Sequence, residues 1–265
     1  MSNMDNRPIG IFDSGVGGTS VWREIEKLLP NEDTIYLADS KNAPYGERSK
    51  EEILQLSIKN IEWLMAKDCK LIVVACNTAT TNAISYVRKH YKVPFIGTEP
   101  AIKPAALRSK TKTVGVLATK GTLSSELFFT TSQNHAGDIN RIVQVGTGLV
   151  PLIEAGKVNS SETRELLQTY LEPMLAAGMD YLVLGCTHYP YLIPVLREMI
   201  PAHVEILDSG AAIARQTLAI LKADNLLANL DKKGTHLFYT NADPEILASF
   251  LTDVNANHKT AYLDF

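Results

Sequence analysis

Two cysteines occupy the same local context in this chain. Cys76 follows the apolar run 71–75 and Cys186 follows the apolar run 182–185, and each cysteine precedes a threonine-bearing turn. A residue between a strand and a helix lies beside unpaired backbone N–H groups and the positive end of the helix dipole. We expect this position to lower the pKa of a thiol and to favour the thiolate.

Proton-transfer partners for the two thiols are also present. His188 lies two residues after Cys186, and Asp13 ends the first strand-like run of the chain. A thiolate and a thiol on opposite sides of a carbon can remove a proton from one face and return one to the other. That reaction is a racemisation. A zinc site would need three or four ligands, and because the sequence completes no such cluster, we predict no metal.

The elements that carry the cysteines occur twice. Three strand-like runs have counterparts in the same order in the second half: 9–12, 34–37 and 71–75 correspond to 114–117, 141–145 and 182–185. This order predicts two copies of one α/β unit. The strand-like run 236–240 has no counterpart in the second unit, so we expect the C-terminal segment to return to the first lobe.

The fold class follows from the alternation of strands and helices. Consecutive βα elements predict mostly parallel sheets covered by helices, here as two similar lobes related by a pseudo-twofold axis. We expect the first lobe to comprise 1–98 plus 209–265, and the second 99–208. Ligands of such sheets bind beyond the carboxyl ends of the strands, so the cleft between the lobes should hold the active site. Asp13, Cys76, Thr119 and Cys186 all fall at such ends.

The glycine-rich segment 13–20 resembles a dinucleotide-binding turn only weakly. Its third glycine is replaced by Ser20, although Asp39 ends the second strand, where a ribose-binding acid would stand. We therefore interpret this segment as a loop for a polar ligand, whose glycines allow a tight turn and a close approach.

Composition excludes several classes of partner. Hydrophobic residues are 45% and charged residues 21% of the chain, as in globular enzymes, and a net charge of −3 offers no basic surface for nucleic acid. No stretch is long and apolar enough to span a membrane, and the polar start carries no export signal. We expect a cytoplasmic enzyme that binds neither nucleic acid nor membrane. The odd count of three cysteines argues against a disulfide framework, and we assign Cys69 a structural role.

Several motifs together carry a family resemblance. The chain resembles bacterial glutamate racemases, of the cofactor-independent aspartate/glutamate racemase superfamily. The matching segments run in family order across most of the chain: 11–18, Asp39 with 44–46, 75–79, 121–122, 154–156 and 184–190. The last fifty or so residues carry no matching motif.

The resemblance implies roles for individual residues. Cys76 would be the acid/base that acts on D-glutamate and Cys186 the one that acts on L-glutamate, with Asp13 and His188 tuning the thiols. Asp39 and Glu154 would be further acidic groups near the site. The substrate would be held by Asp13, Ser14, Tyr45, Gly46, Asn77, Thr78, Thr119, Thr122, Thr187 and His188.

The resemblance also implies the setting of the reaction. No cofactor is expected, and backbone N–H groups and hydroxyls around the carboxylate would stabilise the carbanion. The product D-glutamate would enter peptidoglycan, and so serve cell-wall biogenesis and cell shape. Family members are often dimers, so a homodimer is expected.

Three alternatives remain open from the sequence. One is a racemase of the same superfamily that acts on aspartate or another amino acid, or a related decarboxylase that keeps a single thiol. Another is a cysteine hydrolase, which would leave Cys76 unexplained. The third is a non-catalytic module that binds an amino acid and exchanges no α-proton.

Overall fold

Two parallel sheets form the framework of the molecule. The computed structural model describes residues 4–126, 128, 130 and 139–265. Within these residues ten strands form one sheet of six strands and one of four, and every strand pair is parallel. The predicted fold class of two parallel-sheet lobes is therefore confirmed.

The two sheets share one strand order. The first sheet runs β10-β9-β2-β1-β3-β4 and the second runs β6-β5-β7-β8, so the second repeats the order of the four strands β2-β1-β3-β4 of the first. This order confirms the predicted repeat. The strands are β1 Ile9–Asp13, β2 Thr34–Ala38, β3 Leu71–Val74, β4 Phe95–Gly97, β5 Thr113–Ala118, β6 Asn140–Val145, β7 Tyr181–Gly185, β8 Glu205–Leu207, β9 His236–Thr240 and β10 His258–Tyr262.

Helices cover the sheets on both faces. Among them α2 begins with a capping box, in which Ser49 and Glu52 satisfy each other's backbone N–H groups. The helices of the described residues are α1 Thr19–Leu28, α2 Lys50–Ala66, α3 Asn77–His90, α4 Ile102–Arg108, α5 Lys120–Leu123, α6 Leu149–Glu154, α7 Ser161–Ala176, α8 Ile193–Met199, α9 Gly210–Ala223 and α10 Pro244–Ser249.

The core of the first lobe lies on both faces of its sheet. Apolar residues of α1 and α9 pack on one face, and those of α2 and α3 pack on the other. Strand β1 is consequently buried along its whole length, as expected for a parallel strand covered on both sides. Because α9 packs on α1, and β9 pairs with β2, the chain after the second sheet lies on the first. We keep 1–98 plus 209–265 and 99–208 as the proposed domain division.

The length and the hydrophobicity of the helices bear on whether they could span a membrane. None of those in the described part of the chain is both long enough and apolar enough to cross a bilayer.

A buried ion pair ties the chain together at the amino ends of the first sheet. Lys70 Nζ lies 2.5 Å from Glu32 Oε2, and the two side chains are 0% and 3% exposed. Lys70 also donates to the carbonyl oxygen of Asp5, and Glu32 accepts from the N–H of Ala228. The pair therefore joins the N-terminal segment, the sheet and the segment after α9.

We predict that Lys70→Met lowers the free energy of unfolding by about 3–5 kcal/mol, because Glu32 is then left buried without its cation. Urea denaturation followed by circular dichroism measures the change. The control is Lys232→Met, which removes a partly exposed pair with Asp33 and should cost less than about 1 kcal/mol. Equal losses in the two variants would contradict the prediction.

Candidate active site

A small cavity lies where the carboxyl ends of the two sheets face each other. The space free of protein atoms there is about 270 Å³, open solvent at its mouth included, and only about 10 Å³ of it accommodates the centre of a water molecule. Both thiols reach it, Cys76 from the first lobe and Cys186 from the second. Most of the residues predicted to bind the substrate line it as well. The lining consists of Ser14, Pro44, Tyr45, Gly46, Cys76, Asn77, Thr78, Thr119, Val150, Cys186, Thr187 and His188.

Cys76 lies at the start of α3, as predicted. Its Sγ accepts a hydrogen bond from the N–H of Ala79 at 3.4 Å and lies 3.5 Å from Ser14 Oγ. Burial and, second to it, the charge of Asp13 raise the pKa of the Cys76 thiol to about 12, although the hydrogen bonds with Ala79 and Ser14 lower it. The expectation of a lowered pKa at this helix start is therefore wrong for Cys76, because desolvation outweighs the N–H groups.

Cys186 does not lie at a helix start. The chain after it makes a turn and a short 3-10 helix, Tyr189–Leu192, and α8 begins only at Ile193. The predicted equivalence of the two cysteines therefore holds for their strands but not for the segments that follow. The local partner of Cys186 is instead an imidazole, since Cys186 Sγ lies 3.7 Å from His188 Nδ1.

His188 connects Cys186 to an acid. Its Nε2 lies 2.6 Å from Glu154 Oε1, at the end of α6, and the imidazole is 1% exposed. Burial by itself would lower the pKa of His188, but the hydrogen bonds with Cys186 and Glu154 raise it well above its usual value. Cys186, His188 and Glu154 thus form a chain of three groups along which a proton can move.

Asp13 joins the two lobes. Its carboxylate accepts hydrogen bonds from the N–H groups of Gly15 and Gly18 in the first lobe, and from the hydroxyl of Thr187 in the second, at 3.2, 3.1 and 3.0 Å. Burial raises the pKa of Asp13, while the charge of His188 and these hydrogen bonds oppose the rise. Asp13 acts on the pKa of Cys76 through its charge, and its hydrogen bonds go to the loop and to Thr187.

The glycines of segment 13–20 serve the approach of the second lobe. A Cβ on Gly17 would lie 2.3 Å from His188 Nδ1, and a Cβ on Gly15 would lie 2.0 Å from Glu154 Oε1. The N–H of Val16 also donates to Glu154 Oε1 at 2.8 Å. The glycines are therefore needed for a close approach, as predicted. The groups that approach them are His188 and Glu154 of the second lobe.

Three threonines meet on the opposite wall of the cavity. Thr78 Oγ1 of the first lobe lies 2.8 Å from Thr119 Oγ1 of the second, and Thr122 Oγ1 lies 3.0 Å from Thr119 Oγ1. Thr122 is buried behind the other two and is not part of the lining. The hydroxyls of this cluster therefore bridge the lobes and can turn toward a bound anion.

Asp39 lies behind the cavity wall. Its carboxylate accepts the hydroxyl hydrogen of Tyr45, so that hydroxyl is directed away from the cavity. Burial and the charge of Asp39 raise the pKa of Tyr45 well above its usual value, and Tyr45 remains a donor. The role predicted for Tyr45 in substrate binding is therefore limited to contacts made by its ring and its main chain.

The cavity wall is rich in hydrogen-bond donors, and His188 is the lining side chain that can carry a positive charge. Neither Lys nor Arg is among the lining residues, whereas hydroxyls, an amide and the N–H groups of the first turn of α3 are. The described residues contain no group of three His, Cys, Asp or Glu side chains placed to hold a metal ion. Sequence reasoning missed Pro44 and Val150, which carry no chemistry of their own and line the cavity because of the tertiary fold.

Comparison with known proteins identifies relatives across the whole chain. The model of the family described as Asp/Glu/Hydantoin racemase matches residues 9–217. Glutamate racemase from Herpetosiphon aurantiacus is 48% identical over 241 residues, which cover 91% of this chain and 95% of the relative.

Solved structures of similar proteins have the same fold. A crystal structure of Escherichia coli glutamate racemase, in complex with L-glutamate and the activator UDP-MurNAc-Ala, matches with a TM-score of 0.83 and 34% identity and covers 97% of this chain and 100% of its own. A glutamate racemase isoform from Bacillus anthracis matches with a TM-score of 0.86 and 28% identity, over 98% of each chain.

We predict that Glu154→Gln lowers the pKa of His188 toward its usual value, because the variant loses the anionic partner of Nε2. The pKa is measured by NMR titration of the histidine ring protons. Glu162→Gln, an exposed position in the first turn of α7, is the control and should leave the His188 titration unchanged. A His188 titration that is identical in Glu154→Gln and in the unmodified protein would refute the assignment of this ion pair.

Proposed function

Because this chain belongs to the Asp/Glu/hydantoin racemase family, we propose that it interconverts L- and D-glutamate through Cys76 and Cys186, without a cofactor. The observation that carries the proposal is the placement of the two thiols, which enter one small cavity from two different lobes. The substrate is inferred from the relatives, which are glutamate racemases and include one solved with L-glutamate.

The proposed reaction moves one proton at each face of the α-carbon. In the direction from L- to D-glutamate, the Cys186 thiolate takes the α-proton and becomes a thiol. The carbanion then takes a proton from the Cys76 thiol, which becomes a thiolate. The raised pKa of Cys76 suits this step, because the group is protonated before it acts. In the reverse direction the two thiols exchange roles.

His188 and Glu154 supply the proton balance on the Cys186 side. His188 Nδ1 is close enough to Cys186 Sγ to accept the thiol proton before the reaction, which leaves a thiolate beside an imidazolium. After the L-to-D reaction Cys186 carries the α-proton, and release of one proton from this side and uptake of one by Cys76 restore the starting state. Glu154 holds Nε2 and compensates the charge of the imidazolium. On the Cys76 side, burial and then the charge of Asp13 raise the pKa of the thiol and so favour its protonated form.

The carbanion requires stabilisation by fixed dipoles. Asn77, Thr78, Thr119 and Thr187 line the cavity, where the N–H groups at the start of α3 and the hydroxyls of Thr78 and Thr119 can bind the substrate carboxylates. A narrow cavity whose lining offers mostly hydroxyl and amide donors, and neither Lys nor Arg, suits a small zwitterion.

A cysteine hydrolase is the second candidate, since Cys186, His188 and Glu154 follow the order of nucleophile, base and orienting acid. That arrangement gives Cys76 no role. A hydrolase would form a thioester on Cys186 and would retain activity without the Cys76 thiol.

The biological setting is proposed from the resemblance. D-glutamate would be supplied to peptidoglycan synthesis in the cytoplasm, and the enzyme would work as a homodimer. Analytical ultracentrifugation at micromolar concentration tests the assembly, and a single species with the mass of one chain would refute the dimer.

We predict that Cys76→Ser and Cys186→Ser each reduce racemisation by about a hundredfold or more, because serine is a far weaker acid/base than cysteine at this position. Proton NMR of the α-proton of L-glutamate in deuterated water, together with a chiral assay for D-glutamate, measures the loss. Cys69→Ser is the control, since Cys69 is buried in the core of the first lobe away from the cavity.

Each outcome of this experiment has a distinct meaning. Full racemisation by Cys76→Ser or by Cys186→Ser would reject the two-thiol mechanism. If the unmodified protein washes out the α-proton of aspartate and not that of glutamate, the substrate assignment is wrong and the mechanism stands. A protein that binds glutamate and exchanges no α-proton would be a binding module.

A further inference from the structure

Tyr45 is held by a buried polar network outside the cavity. Its hydroxyl donates to Asp39 and accepts a hydrogen bond from the side-chain amide of Asn60, whose Nδ2 lies 3.1 Å away. Asp39 is 1% exposed and Asn60 is fully buried. A buried carboxylate without a cation must be satisfied by hydrogen-bond donors, so the position of Asp39 depends on the groups around it.

Asn241 is the donor that the C-terminal segment contributes. Its Nδ2 lies 2.5 Å from Asp39 Oδ1, and its own Oδ1 accepts from the N–H of Lys41 at 2.9 Å. The second hydrogen bond fixes the amide so that its NH₂ group faces Asp39. Asn42 donates to the same carboxylate oxygen at 2.8 Å.

Strand register brings Asn241 to this place. In the pairing of β2 with β9, Ala38 lies opposite Thr240. The next residue of each strand is Asp39 on one side and Asn241 on the other, so the two side chains meet just beyond the carboxyl end of the sheet. The C-terminal segment, which carries no family motif, therefore contributes Asn241 to the site through the pairing of β9 with β2.

Asn60, like Asn241, serves this network as a hydrogen-bond donor. Its carbonyl oxygen Oδ1 is buried and has no partner within the described residues, while its NH₂ group serves Tyr45 and lies 3.5 Å from Asp39. An unsatisfied buried oxygen is costly. The network therefore uses the NH₂ group of Asn60 and leaves its carbonyl oxygen unused.

We propose that Asn241 and Asn60 are positioning residues for Tyr45. Asn241 acts through Asp39, and Asn60 donates to the Tyr45 hydroxyl directly. Together they fix the cavity wall formed by residues 44–46. This inference rests on the proposed function, since the wall is assigned to substrate binding. The wall is closely fitted to the second lobe: a Cβ on Gly46 would lie 3.1 Å from Thr119 Cβ. A displaced Tyr45 would therefore change the contact between the lobes as well as the cavity.

The kinetic test uses Asn241→Ala. Removing the amide leaves Asp39 short of one donor and loosens Tyr45, so KM for glutamate should rise about tenfold while kcat changes much less. Asn31→Ala is the control, because it too removes a side-chain amide that makes two hydrogen bonds, which Asn31 donates to the backbone oxygens of Leu230 and Lys232, away from the cavity. It should leave KM unchanged.

A double-mutant cycle separates positioning from a general loss of stability. Tyr45→Phe removes the hydroxyl through which Asn241 acts. Asn241→Ala should therefore add much less to KM in the Tyr45→Phe background than in the unmodified protein. Fully additive effects on KM, or a rise in KM equal to that of Asn31→Ala, would overturn the proposal.

A third measurement needs no catalysis. Alkylation of Cys76 by iodoacetamide, followed peptide by peptide with mass spectrometry, reports opening of the cavity wall. Asn241→Ala should be alkylated at Cys76 several-fold faster than the unmodified protein and than Asn31→Ala, with Cys69 as the internal reference. Unchanged Cys76 alkylation would reject the positioning role. If the unmodified protein fails to racemise glutamate, the proposed function fails, and this measurement still decides the role of Asn241.

Discussion

Two carboxylates, the buried Asp13 and the half-buried Glu154, hold the two lobes in contact, and the rest of the site depends on them. Asp13 accepts from the glycine loop of the first lobe and from Thr187 of the second, and Glu154 accepts from Val16 and His188. Because a carboxylate away from water must be surrounded by donors, each acid fixes groups from both lobes at once. The glycine loop satisfies this requirement only without side chains at Gly15 and Gly17.

The two buried thiols have different surroundings. Cys76 is enclosed near the charge of Asp13, which keeps its proton bound, while Cys186 has His188 at hydrogen-bond distance. A repeated fold therefore carries two different acid/base arrangements. In the proposed two-thiol reaction, the two cysteines would therefore act from different surroundings, Cys76 near the charge of Asp13 and Cys186 beside the imidazole of His188.

The asymmetry extends to the outer parts of the fold. The first sheet gains β9 and β10 from the C-terminal segment, and β9 brings Asn241 beside Asp39. The second sheet ends instead at the edge strand β6, which is largely uncovered. The added strands thus support the wall at residues 44–46, which the second lobe closes with Thr119 and Gly121.

The sequence by itself determined the parallel α/β repeat, the strand ends that carry Asp13, Cys76 and Cys186, and most of the cavity lining. The repeat and the strand ends follow from local patterns, since apolar runs, glycines and caps act on neighbouring residues, whereas the lining residues were implied by the family resemblance. Only the tertiary structure decided that Cys76 keeps its proton, that the Tyr45 hydroxyl faces Asp39, and that Asn60 and Asn241 support it. A pKa depends on burial and surrounding charge, and a hydrogen-bond partner can lie about two hundred positions away in the chain, as Asn241 does from Asp39.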